Sequence, residues 1–329
     1  MSEQMFQKIG VLTSGGDSPG MNAAIRAVVR ACIYYDVTPY GIREGYEGLI
    51  QNDMYRMEAG SVKHIVHQGG TILKSTRCEH FKTKDGRKRA HQNLMKRGIE
   101  ALVVIGGDGT FEGAHIFGEE HDYPVIGIPG TIDNDIYGTD FTIGFDTATN
   151  TVVEAVDQIR DTATSHNRLF FIEVMGRDSG YIAIHSGIAA GAEEILIPEK
   201  DRGMDKLIQS LELSSRRNKT SRLVVVAEGE KSGSIFELAD QVKQKFGQQY
   251  EIKVTVLGHI QRGGRPTCAD RVLASRLGVS AVEALLEGKR GIMVGVQNYK
   301  ISYTDLDNAI KETHTIDEDL LKIADIVSI

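Results

Sequence analysis

The 329-residue sequence predicts an α/β protein of two similar lobes, each a mainly parallel sheet with helices on both faces. Three observations carry this. Short runs rich in Val and Ile lack the apolar–polar alternation of half-exposed strands, as expected for strands buried on both faces. These runs take turns with helix-period segments almost from end to end, the pattern of βαβ units. The 36 glycines gather where the strand-like runs stop, so loops let a ligand approach the backbone there. The chain carries more strands than one compact sheet usually holds, hence two Rossmann-like lobes.

In chain order, "KIGVLTS" (8–14) reads as a strand and "MNAAIRAVVRACI" (21–33) as the helix after it. "ALVVIGG" (101–107) and "PVIGIPG" (124–130) are strands, and "TVVEAVDQIRDTA" (151–163) is a helix. "RLFFIEVMG" (168–176), "EILIPE" (194–199), "RLVVVAEG" (222–229) and "IKVTVLG" (252–258) form a second strand set. Between them lie the helical patterns "GMDKLIQSLELSSRR" (203–217) and "SIFELADQVKQKF" (234–246). "DRVLASRLGVSAVEALLEG" (270–288) is a long helix, and "GIMVGV" (291–296) a last strand.

The net charge of −7 argues against nucleic acid as a partner, since phosphate backbones demand concentrated Lys and Arg. No apolar run reaches the length of a bilayer span, and the first residues do not read as a signal peptide. Cys32, Cys78 and Cys268 are scattered and give neither a disulfide framework nor metal-ligand spacing, so a reducing, cytoplasmic setting is expected.

Two loops have the form of phosphate cradles. "TSGGDSPGMN" (13–22) joins a strand to a helix whose amide-rich N-terminus attracts anions, and "IGGDGTFEGA" (105–114) does the same. Neither has the GxxxxGK[ST] arrangement, so this is not a P-loop. The second is a loose Rossmann fingerprint, but the next strand ends in "GIPGT" rather than an acid for a ribose, which disfavours a dinucleotide. Asp108 suits a hydrated magnesium ion sharing phosphate oxygens, or equally a helix cap. Arg77, Arg168, Arg177, His259 and Arg262 flank strand ends or glycine turns, as residues clamping phosphates do. In "PGTIDND" (129–135), two carboxylates and an amide follow a strand; that is turn chemistry, or reacting groups at a sheet's carboxyl edge.

The motifs "GVLTSGGDSPGMNAAIR", "VVIGGDGT", "PGTIDND", "EVMGR" and "VLGHIQRGG", in this order and spacing, resemble those of the bacterial ATP-dependent 6-phosphofructokinases. The resemblance covers nearly the whole chain and favours the chemical reading of 129–135. It implies a glycolytic kinase that moves the γ-phosphoryl of Mg-ATP to the 1-hydroxyl of fructose 6-phosphate. An ATP-binding lobe would comprise 1–143 plus 260–310, and a sugar-phosphate lobe 144–259 plus 311–329. Asp133 matches the general base, Asp135 an acid supporting metal and loop, and Thr131 a hydroxyl near the moving phosphoryl. Arg77 and Arg177 match residues that offset phosphate charge. Gly16, Arg77, Cys78, Gly107, Asp108, Gly109 and Thr110 match the ATP site, with Asp108 toward magnesium. Thr131, Asp133, Met175, Gly176, Arg177, Glu228, His259 and Arg262 match the sugar-phosphate pocket, and Arg168 reaches the neighbouring subunit's ligand. Lys253 stands where the family has a second such arginine, which implies looser binding because lysine lacks the bidentate fork.

Pyrophosphate-dependent relatives resemble "GGDD" and "PKTIDND"; here Gly109 and Gly130 leave room and omit the extra charge, so ATP is the expected donor. Arg26, Arg30, Arg160, Gly191, Glu193, Arg217 and Lys219 match an effector site for ADP or phosphoenolpyruvate shared between subunits of a homotetramer. Ala59 and His64 depart from that pattern, which implies altered control. A pyrophosphate-dependent enzyme, a catalytically idle nucleotide sensor and an epimeric acceptor such as tagatose 6-phosphate are the alternatives.

Overall fold

The computed structural model describes residues 6–163, 168–200, 203–215, 222–312 and 314–328. The chain divides into two units: Met1–Ile132, Ile136–Thr147 and Arg262–His314 form one, and Asp133–Asp135, Ala148–Gln261 and Thr315–Ile329 the other.

The first unit opens with β1 (Lys8–Thr13), α1 (Met21–Tyr34), β2 (Thr38–Ile42), α2 (Tyr46–Gln51) and β3 (Met54–Arg56). It continues with α3 (Lys84–Arg97), β4 (Ala101–Gly106), α4 (Asp108–His121), β5 (Val125–Thr131) and the two-residue β6 (Ile143–Gly144). Helix α5 (Phe145–Ala163) leads away. The second unit holds β7 (Arg168–Val174), α6 (Tyr181–Ala189), β8 (Glu194–Leu196), α7 (Gly203–Ser215), β9 (Arg222–Ala227), α8 (Ile235–Phe246) and β10 (Glu251–Val256). The chain returns to the first unit with α9 (Cys268–Leu286), β11 (Ile292–Gln297), β12 (Lys300–Asp305) and α10 (Leu306–Lys311); α11 (Glu318–Val327) belongs to the second.

Among the described residues, the first unit's eight-stranded sheet runs β12-β11-β5-β4-β1-β2-β3, with β6 beside β5. Only the edges β3 and β12 pair antiparallel. The sheet's two faces take alternate residues of each central strand. Ile9 and Val11 of β1 join Val103 and Ile105 of β4 in a core closed by α1 and α9. Leu12, Leu102 and Val104 face Phe111 and Phe117 of α4 and Leu94 of α3. Apolar residues on both faces remove the alternation, which is why these strands read as continuous runs. The second unit's sheet runs β10-β7-β9-β8, all parallel, with Leu169, Phe171, Val224 and Val226 packed on Leu238 and Val242 of α8.

The α/β architecture with mainly parallel sheets agrees with the sequence reading. Strands broken by Pro and Gly, and polar helices, escaped that reading. "TPYGI" of β2 carries Pro39 and Gly41, and "KDGRKRAHQNLMKR" of α3 buries few apolar side chains, chiefly Ala90 and Leu94, which is too little periodicity to see.

Candidate active site

In the first unit, β1 lies between β2 and β4, so successive crossovers depart to opposite sides of the β1–β4 pair. The carboxyl edge at such a reversal is where open α/β sheets bind ligands. Both glycine loops leave that edge. Loop 13–20 is anchored by the Ser14 amide donating to the Ile105 carbonyl at 3.0 Å. Its last residue, Gly20, caps α1 at φ 108°, a conformation that side chains strain to reach. No acidic residue occupies the first turn of α1, which leaves the positive end of the helix dipole unopposed within that turn.

The second loop differs. Gly107 is the N-cap of α4 and makes no side-chain cap; Asp108 is the first helical residue and is exposed. The capping alternative for Asp108 therefore does not hold at the N-cap position. Thr110 is buried beneath it, its carbonyl accepting from the Tyr46 hydroxyl. Thr131, closing β5, lies beside Gly107: a Cβ on that glycine would stand 3.6 Å from the Thr131 Cβ. The Thr142 hydroxyl fixes the same turn by donating to the Thr131 carbonyl at 2.6 Å. Among the described residues no group of three or more His, Cys, Asp or Glu is placed to hold a metal. A single exposed carboxylate on a glycine loop fits magnesium that keeps waters and shares phosphate oxygens.

A Cβ on Gly109 would meet nothing within 4 Å, which is the open room the sequence reading expected. Gly130 differs from that expectation: a Cβ there would meet Ile105 Cγ2 at 3.0 Å and Met21 Cε at 3.3 Å, because β5 is packed on both faces. Arg77 is exposed ahead of a short 3₁₀ helix. The Cys78 thiol donates to Glu47 Oε2 at 2.9 Å, and burial together with that carboxylate pushes its pKa up to about 11, so it is held as a thiol. Arg262 lies over the first loop, its Nη1 3.5 Å from the Asp17 carbonyl oxygen.

In the second unit, Asp133 is 2 % exposed and its Oδ2 stands 3.8 Å from Arg177 Nε. Asn134 beside it is left-handed (φ 52°), so turn chemistry and a buried carboxylate coexist in "PGTIDND". Gly176 and Arg177 both take positive φ (140° and 53°), uncommon for an arginine. Glu228 holds this turn: its Oε1 accepts from the Arg177 amide at 2.7 Å and the Gly176 amide at 3.3 Å. Glu173, on the strand leading to it, has its carboxyl pKa raised by burial and by Glu228.

Two residues escaped the sequence reading. Gln261 is fully buried, accepting from the Met175 amide at 3.1 Å and donating to the Gly258 carbonyl at 3.0 Å. Ser179 donates to the Asp133 carbonyl at 2.8 Å. Gln261 sits inside "GHIQRGG", so its neighbours were visible, but nothing local says that an amide side chain is buried.

His259 is exposed. Arg168 pairs with Glu251 (Nε–Oε2 2.8 Å), and Lys253 holds the other oxygen at 2.6 Å; the two cations pull the Glu251 pKa down to about 2. Of the effector set, Arg26 and Arg30 are on α1, with the Arg26 pKa lowered first by burial and then by Arg30. In the second unit, Arg160 donates to the Ala190 carbonyl beside Gly191, whose φ is 61°. Glu193 is buried, and its Oε2 accepts from the Leu223 amide at 2.5 Å. Arg217 and Lys219 lie outside the described residues.

A family model described as phosphofructokinase matches residues 8–285. The chain belongs to the phosphofructokinase family. It is 56% identical over 324 residues to the ATP-dependent 6-phosphofructokinase of Halalkalibacterium halodurans, covering 98% of this chain and 100% of that one. The Bacillus subtilis ATP-dependent 6-phosphofructokinase is 54% identical over the same shares. Among solved structures, Saccharomyces cerevisiae phosphofructokinase superposes with a TM-score of 0.86 at 36% identity; this chain is covered to 98% and spans about half, 48%, of the yeast one. A pyrophosphate-dependent phosphofructokinase from Nitrosospira multiformis shares the fold (TM-score 0.87) at 20% identity. In this family member, Gly109 borders open space, and the buried Asp133 carboxylate stands beside an exposed Arg177.

Proposed function

We propose that this chain transfers the γ-phosphoryl group of ATP to the 1-hydroxyl of fructose 6-phosphate, giving fructose 1,6-bisphosphate and ADP. The observation that carries the reading is the buried Asp133 beside Arg177, on the loop that leaves β5. As the acceptor oxygen bonds to the γ-phosphorus, its proton passes to the Asp133 carboxylate, and the bond from that phosphorus to the bridging oxygen breaks with ADP leaving. Arg177, with Arg77, offsets charge on the transferring group, and the Thr131 hydroxyl lies toward it.

In this reading the first unit takes the donor. Gly16, Cys78, Gly107, Gly109 and Thr110 bind ATP, and Asp108 would hold a magnesium ion, which would neutralise phosphate charge. Asp135 supports that loop. Met175, Gly176, Glu228, His259 and Arg262 bind fructose 6-phosphate, and Glu228 also fixes the turn that aims Arg177. Arg168 and Lys253 act on the ligand of a neighbouring subunit in a cytoplasmic homotetramer. Arg26, Arg30, Arg160, Gly191 and Glu193, with Arg217 and Lys219, form an ADP or phosphoenolpyruvate site whose response is altered by Ala59 and His64. No described helix is long and apolar enough to cross a membrane.

A coupled assay with fructose 6-phosphate and magnesium, offering ATP and pyrophosphate separately, tests the reading. ATP-dependent turnover is expected, reduced about 10²–10⁴-fold in Asp133→Asn, the span of general-base catalysis. Turnover with pyrophosphate alone would overturn the donor assignment. ATP binding with no turnover on fructose 6-phosphate or tagatose 6-phosphate would make the chain a nucleotide sensor.

A further inference from the structure

Gly16 has no conformational reason to be glycine. Unlike Gly15 (φ 82°) and Gly20 (φ 108°), it does not occupy the left-handed region. Its missing side chain makes room instead: a Cβ built there would stand 2.8 Å from Nη1 and 3.4 Å from Cζ of Arg262, so the guanidinium would have to move. The same nitrogen reaches the carbonyl oxygen of the next residue, Asp17, at 3.5 Å. The guanidinium therefore directs its Nη1 end at the bare backbone of the first glycine loop.

The segment carrying that arginine is fixed to the same loop system. A Cβ on Gly69 would meet the Gly264 carbonyl oxygen at 2.3 Å, so strands of irregular backbone touch there. Asn22, in the first turn of α1, donates to the Gln68 and Gly69 carbonyls at 3.2 and 3.1 Å and accepts from the Ile72 amide at 2.8 Å. Asn22 is buried, so these bonds bind 68–72 to the helix that the loop opens. Residues 13–22, 68–72 and 262–264 thus form one packed assembly within the first unit.

We propose that Gly16 is a positioning residue for the acceptor: it leaves the surface on which Arg262 seats, so the loop assigned to the donor also aims an arginine of the sugar-phosphate pocket. This rests on the acceptor role given to Arg262 above. A ligand that shifts residues 15–17 then shifts the guanidinium too, and donor and acceptor affinities are coupled through this contact.

The test is a double-mutant cycle of Gly16→Ala and Arg262→Ala, reading KM for fructose 6-phosphate and for ATP, with thermal unfolding alongside. Gly16→Ala is expected to raise the fructose 6-phosphate KM about tenfold, the scale of one displaced charge-assisted contact. In the Arg262→Ala background the same change is expected to add less than about twofold, because the group it displaces is gone. Gly16→Ser enters the same cycle if the alanine variant unfolds. Multiplying effects in the double variant, or a change confined to the ATP KM, would overturn the proposal while leaving Arg262 in the pocket. An unchanged fructose 6-phosphate KM in Arg262→Ala alone would remove the acceptor role of Arg262, and this proposal with it.

Discussion

The two glycine loops of the first unit open helices of equal length, 14 residues each, and use them differently. Ten residues of α1 are buried, from Met21 to Cys32, whereas α4 buries four, Thr110, Phe111, Ala114 and Phe117. The first loop offers amides on a helix wedged into the core, with no acid in its first turn. The second presents Asp108 on a helix that lies against the sheet by one narrow face. One sequence signal, glycines between a strand and a helix, yields a rigid cradle in one place and an exposed carboxylate in the other. What packs on the helix decides which.

Removing the carboxylate of the second loop should break the comparison most. Asp108→Asn is expected to lower kcat/KM with ATP about 10²–10³-fold, on the scale of losing one electrostatic stabiliser. Steady-state kinetics over a magnesium titration would show it, with the melting temperature unchanged because the side chain is exposed.

The first loop should break by unfolding instead. Gly20→Ala combines a left-handed backbone with a Cβ 2.6 Å from Ile143 Cγ2, and is expected to cost about 2–4 kcal/mol. Denaturant unfolding measures it, and an unchanged midpoint would show that the loop is not rigidly packed.

Asp270 sharpens the contrast through pH. It sits in the first turn of α9, accepting from the Gly144 and Thr147 amides, each at 2.8 Å, and from the Thr147 hydroxyl. Burial pushes its pKa up to about 6, against those donors, with a smaller push from Asp146. The folded state therefore binds the proton more tightly than the unfolded chain. The contribution is fully present below the ordinary aspartate value of 3.8, declines as pH rises to about 6, and is flat above. The stability difference between the native chain and Asp270→Asn, followed by unfolding from pH 4 to 7, should fall over that window by up to about 3 kcal/mol.

The smallest structural effect belongs to Gly109. With nothing within 4 Å of a Cβ there, Gly109→Ala is expected to change stability by no more than about 0.5 kcal/mol. Gly109→Asp should leave the melting temperature similarly intact while raising the ATP KM, since the added carboxylate enters the space and opposes phosphate. Equal ATP affinity in that variant would sever Gly109 from donor choice.

Much of this was legible because the strands are short runs buried on both faces, which local composition reveals. The carboxyl-edge loops were legible because glycine, Asp and Asn mark the places where backbone must turn or be approached. Less visible were β12, whose "KISYTD" lies on an antiparallel edge, and α3, whose polar sequence needs tertiary contacts such as the Arg87–Glu120 pair at 2.6 Å. At the site, the sequence pointed to Asp133 and Arg177 separately. Gln261 and Ser179 stayed hidden, because burying a polar side chain depends on partners distant in the chain.

Residue order alone determined the strand–helix alternation and the positions of the glycine loops, since both follow from local periodicity and backbone freedom. Family membership rested on motif spacing along the chain. Only tertiary structure decided that Asp133 is buried beside Arg177, that Gly109 opens on empty space while Gly130 is packed, and that Arg262 lies on Gly16. Each of those facts depends on whether residues far apart in sequence come close, which the packing of sheets and helices sets and no local preference encodes.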